Sequence, residues 1–582
     1  MHEEYTLTSE LGNRTPANYR EASKIPEWQE SIRTEYKNLI DNGTFQFIPR
    51  SSMPRNAGFV DTKFVFKTKK KDGVPTSLKT RICARGFTQW ADRDYDKASL
   101  FAPVATFDQI RLLLAYAAQK HYHIHHWDVD GAFLIPKLDK PIYMKLPVGF
   151  RKDTQGLIDV PDGDVVILLK RGIYGLKQGA GLWWDHLRRT ITQILGFKES
   201  PRQPCVFTRY EESDGTTSLI STYVDDLVVA VKNPDILAQI KKKLFDIYAM
   251  KDLGEIEWLL GTAVNYNRNK GIIQINQTAY IEQMQQRFGL ADFKNKQAIP
   301  LSENDARIFT KNEELERLKS EPRCDPTKYR SIVGALLFLC RSTRPDVETA
   351  VHMLSCASRE PTMEHLKLAK KVLKYCITTR YFCMTYETDE IKLTGFTDSN
   401  YGAREQDSRS RTGFCYRVGT TKSRSAMVAW KSKLQKTPAT STMEAEYMAA
   451  SDCVTEIYDA REALKAYGAE QTEEKGKKTL SILYCDSISA TTCAQEPRVH
   501  QKTKSIRTRY HSIRSHCARG VNKIVEMVYI NTNDNPSDLF TKVLPIKKFE
   551  KFRDEIMNIT NRTYAKGTYK HEQRTKGYQP KQ

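Results

Sequence analysis

"LISTYVDDLVVAV" (Leu219–Val231) sets two adjacent carboxylates, Asp225 and Asp226, inside an apolar, β-branched run. Leu219, Ile220, Thr222, Tyr223 and Val224 read as one strand, and Leu227, Val228, Val229 and Val231 as a second. The two residues between them predict a tight hairpin with both acids at its tip. Carboxylates that close repel unless a cation lies between them. Asp is also a common turn residue, so the stretch by itself fits either a polar turn or a Mg²⁺ site. The Mg²⁺ reading requires at least one more acid from elsewhere in the chain.

Upstream, "HYHIHHWDVDGAFL" (His121–Leu134) offers that acid. Asp128 ends an apolar strand pattern, and pairing of that strand with the hairpin sets it beside Asp225 and Asp226. The four histidines of the stretch lack the Cys or fourth-ligand spacing of a zinc site and read as a solvated strand face. Further out, Trp28, Ile32, Tyr36 and Leu39 recur at helical spacing between Pro26 and Gly43. Gly58 to Gly86 reads as a hairpin with its tip at Lys70–Gly73 and with Lys63, Lys67, Lys79, Arg81 and Arg85 along it. Such a hairpin is either a solvated edge or a grip for phosphates. A helix with Asp108 near its start follows, with Ile110, Leu113, Leu114 and Ala117 on one face. Pro234–Gly254 reads as one helix with Ile236, Ile240, Leu244 and Ile247 inward. More helices are expected near 329–340, 345–358 and 363–377.

From Ile391 the texture changes to short strands, Gly turns and one helix after Ser441, which predicts a second α/β unit. It has its own acids. "GFTDSNYG" (Gly395–Gly402) ends a strand on Asp398, and "STMEAEYMAA" (Ser441–Ala450) opens a helix with Glu444 and Glu446. "SILYCDSISA" (Ser481–Ala490) ends a strand on Asp486, and "NPSDLFTK" (Asn535–Lys542) begins a helix around Asp538. Read singly, each acid is a common cap or turn residue. Four converging on one point would bind two divalent ions able to activate water and stabilise a leaving 3′ oxygen.

Composition agrees with a polyanionic partner. The 582 residues carry 91 Lys and Arg against 70 Asp and Glu, a net charge of +21, and an excess of that size suits nucleic acid. Twelve cysteines with no C-x-x-C pair speak against a zinc module or disulfide scaffold and for a reducing interior. No run reaches the length of a membrane helix, and "MHEEYTLTSE" is no signal peptide, so neither membrane nor secretion is expected.

The chain closely resembles the polymerase of copia-type (Pseudoviridae) LTR retrotransposons. "ARGFTQ…DY…FAPVATFDQIRLLLA" (Ala84–Ala115), "WDVDGAFL", "YMKLPVGF" (Tyr143–Phe150), "YGLKQ" (Tyr174–Gln178), "YVDDLVV", "KDLGEIEWLLG" (Lys251–Gly261), "YRSIVGALLFLCRSTRPDV" (Tyr329–Val347) and "NPSDLFTK" look like family blocks in family order, over residues 26–545. The resemblance implies an α/β (α+β) right-hand polymerase with fingers, palm and thumb, a connection region, and a ribonuclease H-like domain. The expected division is a flexible segment 1–25, fingers and palm 26–232, thumb 233–300, helical connection 301–390, ribonuclease H-like domain 391–545 and a basic tail 546–582. The implied function is an RNA-directed DNA polymerase with ribonuclease H activity. The alternative is a catalytically inactive remnant or a domesticated nucleic-acid-binding protein.

Carried over by position, Asp128, Asp225 and Asp226 match the polymerase metal triad, and Asp398, Glu446, Asp486 and Asp538 the ribonuclease H set. Glu446 is preferred to Glu444 because "EYMAA" resembles the family's helix register better. Phe133 stands where relatives place the aromatic gate against a ribose 2′-OH; its other reading is core packing. Gln178 resembles the glutamine on the incoming nucleotide, and Lys79, Arg81 and Arg85 the basic strand over its triphosphate. The implied cofactor is Mg²⁺, with Mn²⁺ as a substitute. The implied partners are RNA template, DNA primer, RNA–DNA hybrid and dNTPs, in a cytoplasmic virus-like particle and also in the nucleus. Two departures stand out: Ala180 and Gly181 replace a Pro-Arg pair, and Ser505–His511 stands where the family carries a His and an acid before "RYH". A Gag zinc knuckle, an Asp-Thr-Gly protease motif and integrase motifs are missing, as expected of a processed or truncated product or a genomic remnant.

Overall fold

The computed structural model of the protein describes residues 15–71, 74–420, 424–469, 479–496, 508–518 and 523–559. Its centre is a six-stranded antiparallel sheet in the spatial order Met250–Glu255, His123–Val129, Asp226–Val231, Thr216–Tyr223, Gln203–Glu211, Lys198–Ser200. The β-branched strands are apolar on both faces because both faces are covered. Ile220, Leu227, Val229 and Val231 pack on helices Gly179–Arg189 and Pro234–Ile247 through Trp183, Leu187, Ile236 and Ile240. Leu219, Val228, Ala230 and Ile124 face helix Phe107–Gln119.

That helix has a Thr106–Gln109 capping box and is buried from Ile110 to Ala118, Arg111 included, where one apolar face was expected. It lies between the central sheet and the distal unit. The helix expected over Pro234–Gly254 stops at Ile247, and Met250–Glu255 instead pairs with His123–Val129. Pairing the edge of the central sheet wins over helix continuation, and Ile247, expected inward, is 41% exposed.

On the N-terminal side, helix Pro26–Asp41 buries Trp28, Ile32, Tyr36 and Leu39, and Gly43 (φ +61°) turns the chain. It packs on the basic hairpin Thr62–Lys71 and Val74–Ala84. The tip residues Asp72 and Gly73 lie outside the described residues. Residues 15–25, expected as part of a flexible segment, include helix Tyr19–Ala22; Tyr19 donates to Asp153 over 2.8 Å, and Ala22 is buried.

The segments expected as thumb (233–300) and helical connection (301–390) share one sheet. Strands Trp258–Leu259, Thr262–Asn267 and Ile272–Asn276 share a sheet with Met384–Tyr386, a strand that follows helices Pro326–Ser342, Glu348–Cys356 and Met363–Thr378. The distal sheet runs Ala426–Leu434, Arg409–Val418, Leu393–Arg404, Ser481–Cys485, Val525–Tyr529. Its last two pairings are parallel. The strand bearing Asp398 continues to Arg404 rather than ending on the acid. The expected tail also begins with structure: helix Ile546–Met557 buries Phe549, Phe552, Ile556 and Met557. A continuous apolar cluster therefore runs from Ala105 to Met557.

Candidate functional site

The hairpin of the opening stretch is offset by one residue from expectation. Tyr223 pairs with Asp226, so the two loop residues are Val224 and Asp225. Val224 has φ +58°, a left-handed conformation that a β-branched residue rarely adopts. Both loop carbonyls are tied down: Trp183 Nε1 donates to Val224 O over 2.7 Å, and Val129 N donates to Asp225 O over 2.9 Å. Asp226 stands directly opposite Asp128 across the neighbouring strand, which puts both carboxylates on one face of the sheet. All three acids are half-buried.

His126, two residues from Asp128, shares that face. It is buried, and its Nε2 lies 2.9 Å from Asp226 Oδ1. The sequence reading had grouped it with a solvated face. The signal that could have separated it is parity, since residues 126 and 128 point the same way from a strand.

Around the acids, the Phe133 ring meets Tyr174 edge-on at 5.7 Å, and the Arg81 guanidinium lies 4.6 Å over Tyr174. Burial pushes the Tyr174 hydroxyl up to about 12, with Arg81 opposing and the Asp225 charge adding to the rise. Tyr174 thus links Phe133 to Arg81. Lys79, two residues before Arg81, shares its side of the strand. Burial raises the Glu35 carboxyl, which Lys79 and Arg81 pull down; it accepts from Ile82 N over 3.2 Å. Arg85 is exposed just past the strand end.

Gln178, expected at the incoming nucleotide, stands at the start of helix Gly179–Arg189. It is fully buried, donating to Asp94 O and accepting from Gln89 Nε2, each over 3.0 Å. Its amide fastens the Gln89–Asp94 segment. Gly181, one of the two departures, has a local reason: a β-carbon there would collide with the Ser99 carbonyl.

The distal acids come together in part. Parallel pairing of Thr397 with Cys485 sets Asp398 and Asp486 side by side just past the paired residues. Glu446, in the first turns of helix Thr442–Ala466, accepts from Ser399 N over 3.1 Å through one oxygen, while its other oxygen is buried without a hydrogen-bond partner. Burial raises the Asp398 carboxyl to about 7; Lys542 opposes, and Asp538 and Asp486 add to the rise. Glu446 is raised well above the carboxylate range by burial, then by Asp398 and Asp486. Such a set of mutually repelling, buried acids fits divalent cations.

Asp538 sits in a 3₁₀ turn, Pro536–Phe540, where a helix start was expected. Its oxygens lie 2.6 Å from Lys542 and 2.6 Å from Lys548, and Lys542 also reaches Asp398 at 3.7 Å. A lysine thus stands between these two acids. Glu444 points elsewhere: it accepts from Thr440 N over 2.8 Å at the helix start. In the second departure, Ser505–Arg507 lie outside the described residues, while His511 Nδ1 lies 3.2 Å from the Tyr447 hydroxyl.

A family model for reverse transcriptase (RNA-dependent DNA polymerase) matches residues 43–303. The putative transposon Ty5-1 protein of Saccharomyces cerevisiae is 37% identical over 333 residues, 57% of this chain and 100% of that relative. The chain belongs to the copia-type LTR retrotransposon polymerases. The retrovirus-related Pol polyprotein from transposon TNT 1-94 of Nicotiana tabacum is 31% identical over 557 residues, 94% of this chain and 39% of that polyprotein. The corresponding polyprotein from transposon RE1 of Arabidopsis thaliana is 28% identical over 95% of this chain and 35% of its own length. This copia-type chain therefore spans under two fifths of those relatives. The solved protease-reverse transcriptase of prototype foamy virus aligns with 90% of this chain and 55% of its own at 14% identity and a TM-score of 0.22. Among the described residues, no helix is long and apolar enough to cross a membrane.

Proposed function

We propose that this copia-type chain is an RNA-directed DNA polymerase that also degrades the RNA strand of the hybrid it makes. The observation that carries the reading is the cross-strand pairing of Asp128 with Asp226 beside Asp225. Asp128, Asp225 and Asp226 would hold Mg²⁺, or Mn²⁺, which when bound supplies charge neutralisation at the triphosphate and a more acidic primer 3′-OH. His126 holds the Asp226 carboxylate from behind. Arg81 and Lys79 present positive charge to the phosphates, and Arg85 extends it along the strand. Phe133, wedged against Tyr174, blocks the space that a ribose 2′-OH would need. Gln178 acts indirectly by fastening the Gln89–Asp94 segment.

In the distal unit, Asp398, Glu446 and Asp486 would hold the divalent ions for hydrolysis. Asp538 would join them only after releasing Lys542 and Lys548. The partners on this reading are an RNA template, a DNA primer, the hybrid and dNTPs.

The test is extension of a DNA primer on an RNA template by the full chain with Mg²⁺. Asp225→Asn is expected to abolish extension while template-primer binding stays near that of the parent protein. Asp486→Asn is expected to stop RNA degradation and spare extension. Extension by Asp225→Asn at the parent rate overturns the triad. Binding without extension by the parent chain leaves a nucleic-acid-binding relic.

A further inference from the structure

The distal cluster contains a group that Mg²⁺ chemistry does not need. The Sγ of Cys485 and carboxylate oxygens of Glu446 and Asp486 all lie within 4.8 Å of one another. Among the described residues, this is the group of three His, Cys, Asp or Glu side chains close enough to hold one ion. Cys485 is fully buried, and its sulfur has a weak contact with Ser487 O at 3.9 Å. The free oxygen of Glu446 is buried and unpartnered, and Glu446 is only 4% exposed. Asp486 is half-buried and gives the group an opening to solvent.

Two oxygens and one sulfur make a donor set of mixed hardness. Mg²⁺ takes oxygen ligands and keeps much of its water, so it has little use for a thiol. Soft thiolate ligands favour zinc and its heavier relatives. One tetrahedral Zn²⁺ binds sulfur at about 2.3 Å and carboxylate oxygen at about 2.0–2.2 Å, which sets its ligands about 3.5 Å apart. The Cys485, Glu446 and Asp486 ligand atoms lie within 4.8 Å of one another, so binding must draw them together.

We propose that Cys485, Glu446 and Asp486 form a capture site for a thiophilic divalent ion, Zn²⁺ or Cd²⁺, which inhibits the distal unit by taking two of its carboxylates. On binding, the Cys485 S–H bond breaks, the proton leaves to solvent, and a sulfur–metal bond forms with no change of oxidation state. The binding step stands on the geometry alone. Its inhibitory consequence rests on the hydrolytic reading above.

The experiment uses the full chain in excess Mg²⁺, titrated with Cd²⁺ alone. The readouts are the ultraviolet thiolate-to-cadmium charge-transfer absorption and the protons released. One site's worth of absorption is expected in the parent chain and is expected to be missing from Cys485→Ser. Glu446→Gln keeps the thiol and is expected to bind Cd²⁺ more than about tenfold more weakly, at least the effect of losing an outer-shell partner. That second variant decides the matter if Cys485→Ser fails to fold. Full absorption in Cys485→Ser, or parent-like affinity in Glu446→Gln, overturns the site. In a parallel arm, Zn²⁺ is added to RNA-strand cleavage in Mg²⁺, and the parent chain is expected to be inhibited. If the parent binds Cd²⁺ through Cys485 but cleaves no RNA in Mg²⁺, the capture site stands and the hydrolytic reading falls.

Discussion

His126 Nε2 lies 2.9 Å from Asp226 Oδ1, on the face of the central sheet that also carries Asp128. A buried donor at that distance fixes the carboxylate's rotamer before any cation or substrate arrives. Charge-assisted hydrogen bonds of this kind are shorter and stronger than neutral ones.

Removing the imidazole is therefore expected to loosen Asp226 without unfolding the sheet. His126→Ala should lower kcat for single-nucleotide extension about ten- to hundredfold, the equivalent of one hydrogen bond to a charged group. KM for the dNTP should change much less. His126→Gln restores a donor and is expected to recover most of the rate. Equal loss in both variants, measured by pre-steady-state kinetics, would reduce His126 to packing.

The two glutamates of the distal helix separate cleanly. Glu444 caps the helix start through Thr440 N, whereas Glu446 faces Ser399 and the distal acids. Glu444→Gln keeps an acceptor for Thr440 N and is expected to leave both stability and RNA cleavage nearly unchanged, whereas Glu444→Ala is expected to cost about 0.5–2 kcal/mol in denaturant unfolding, as for loss of a helix cap, with RNA cleavage retained. Glu446→Gln is expected to abolish cleavage. The reverse pattern in a gel assay of hybrid degradation would reassign the site.

Arg111 joins the central and distal units. Its guanidinium donates to the carbonyls of Val428 at 2.6 Å, Arg341 at 2.7 Å and Ser342 at 2.8 Å, and lies 3.9 Å over the Trp430 ring. Lys cannot reproduce that planar fork. Arg111→Ala and Arg111→Lys should both destabilise the chain, Ala by roughly 3–5 kcal/mol because buried polar partners are left behind. Limited proteolysis should then cut between the units. A parent-like digestion pattern would mean that the apolar contact alone holds them together.

His365, at the start of helix Met363–Thr378, gives the protein an acid-sensitive point. Its Nδ1 accepts from Thr362 N over 3.1 Å, which requires the unprotonated ring, and burial holds its pKa near about 4 rather than 6.5. Between those values the unfolded chain binds more protons than the folded one, so stability rises with pH across that window. The contribution is complete above pH 6.5 and fades as pH falls toward 4. His365→Gln, which can still accept at that position, is expected to flatten this part of the profile in thermal melts. An unchanged acid limb would place the sensitivity elsewhere.

By itself, the sequence determined the local periods and their interruptions. The apolar run around Asp225 and Asp226 reads as a hairpin because alternation and a short break specify one. Helix Pro26–Asp41 reads from its spacing and its closing glycine, and the ordered motifs identify the copia-type family. The tertiary structure decided everything that depends on which distant segment covers which face. It put Asp226 opposite Asp128 and turned His126 toward them. It buried Gln178 in a hydrogen-bond network, drew Met250–Glu255 out of a helix into the sheet, and packed Ile546–Met557 into the core. It also brought Glu446 to the adjacent pair Cys485 and Asp486. The reason is physical: period and capping are properties of neighbouring residues, whereas burial, strand register and the pairing of charges are settled by partners tens to hundreds of residues away.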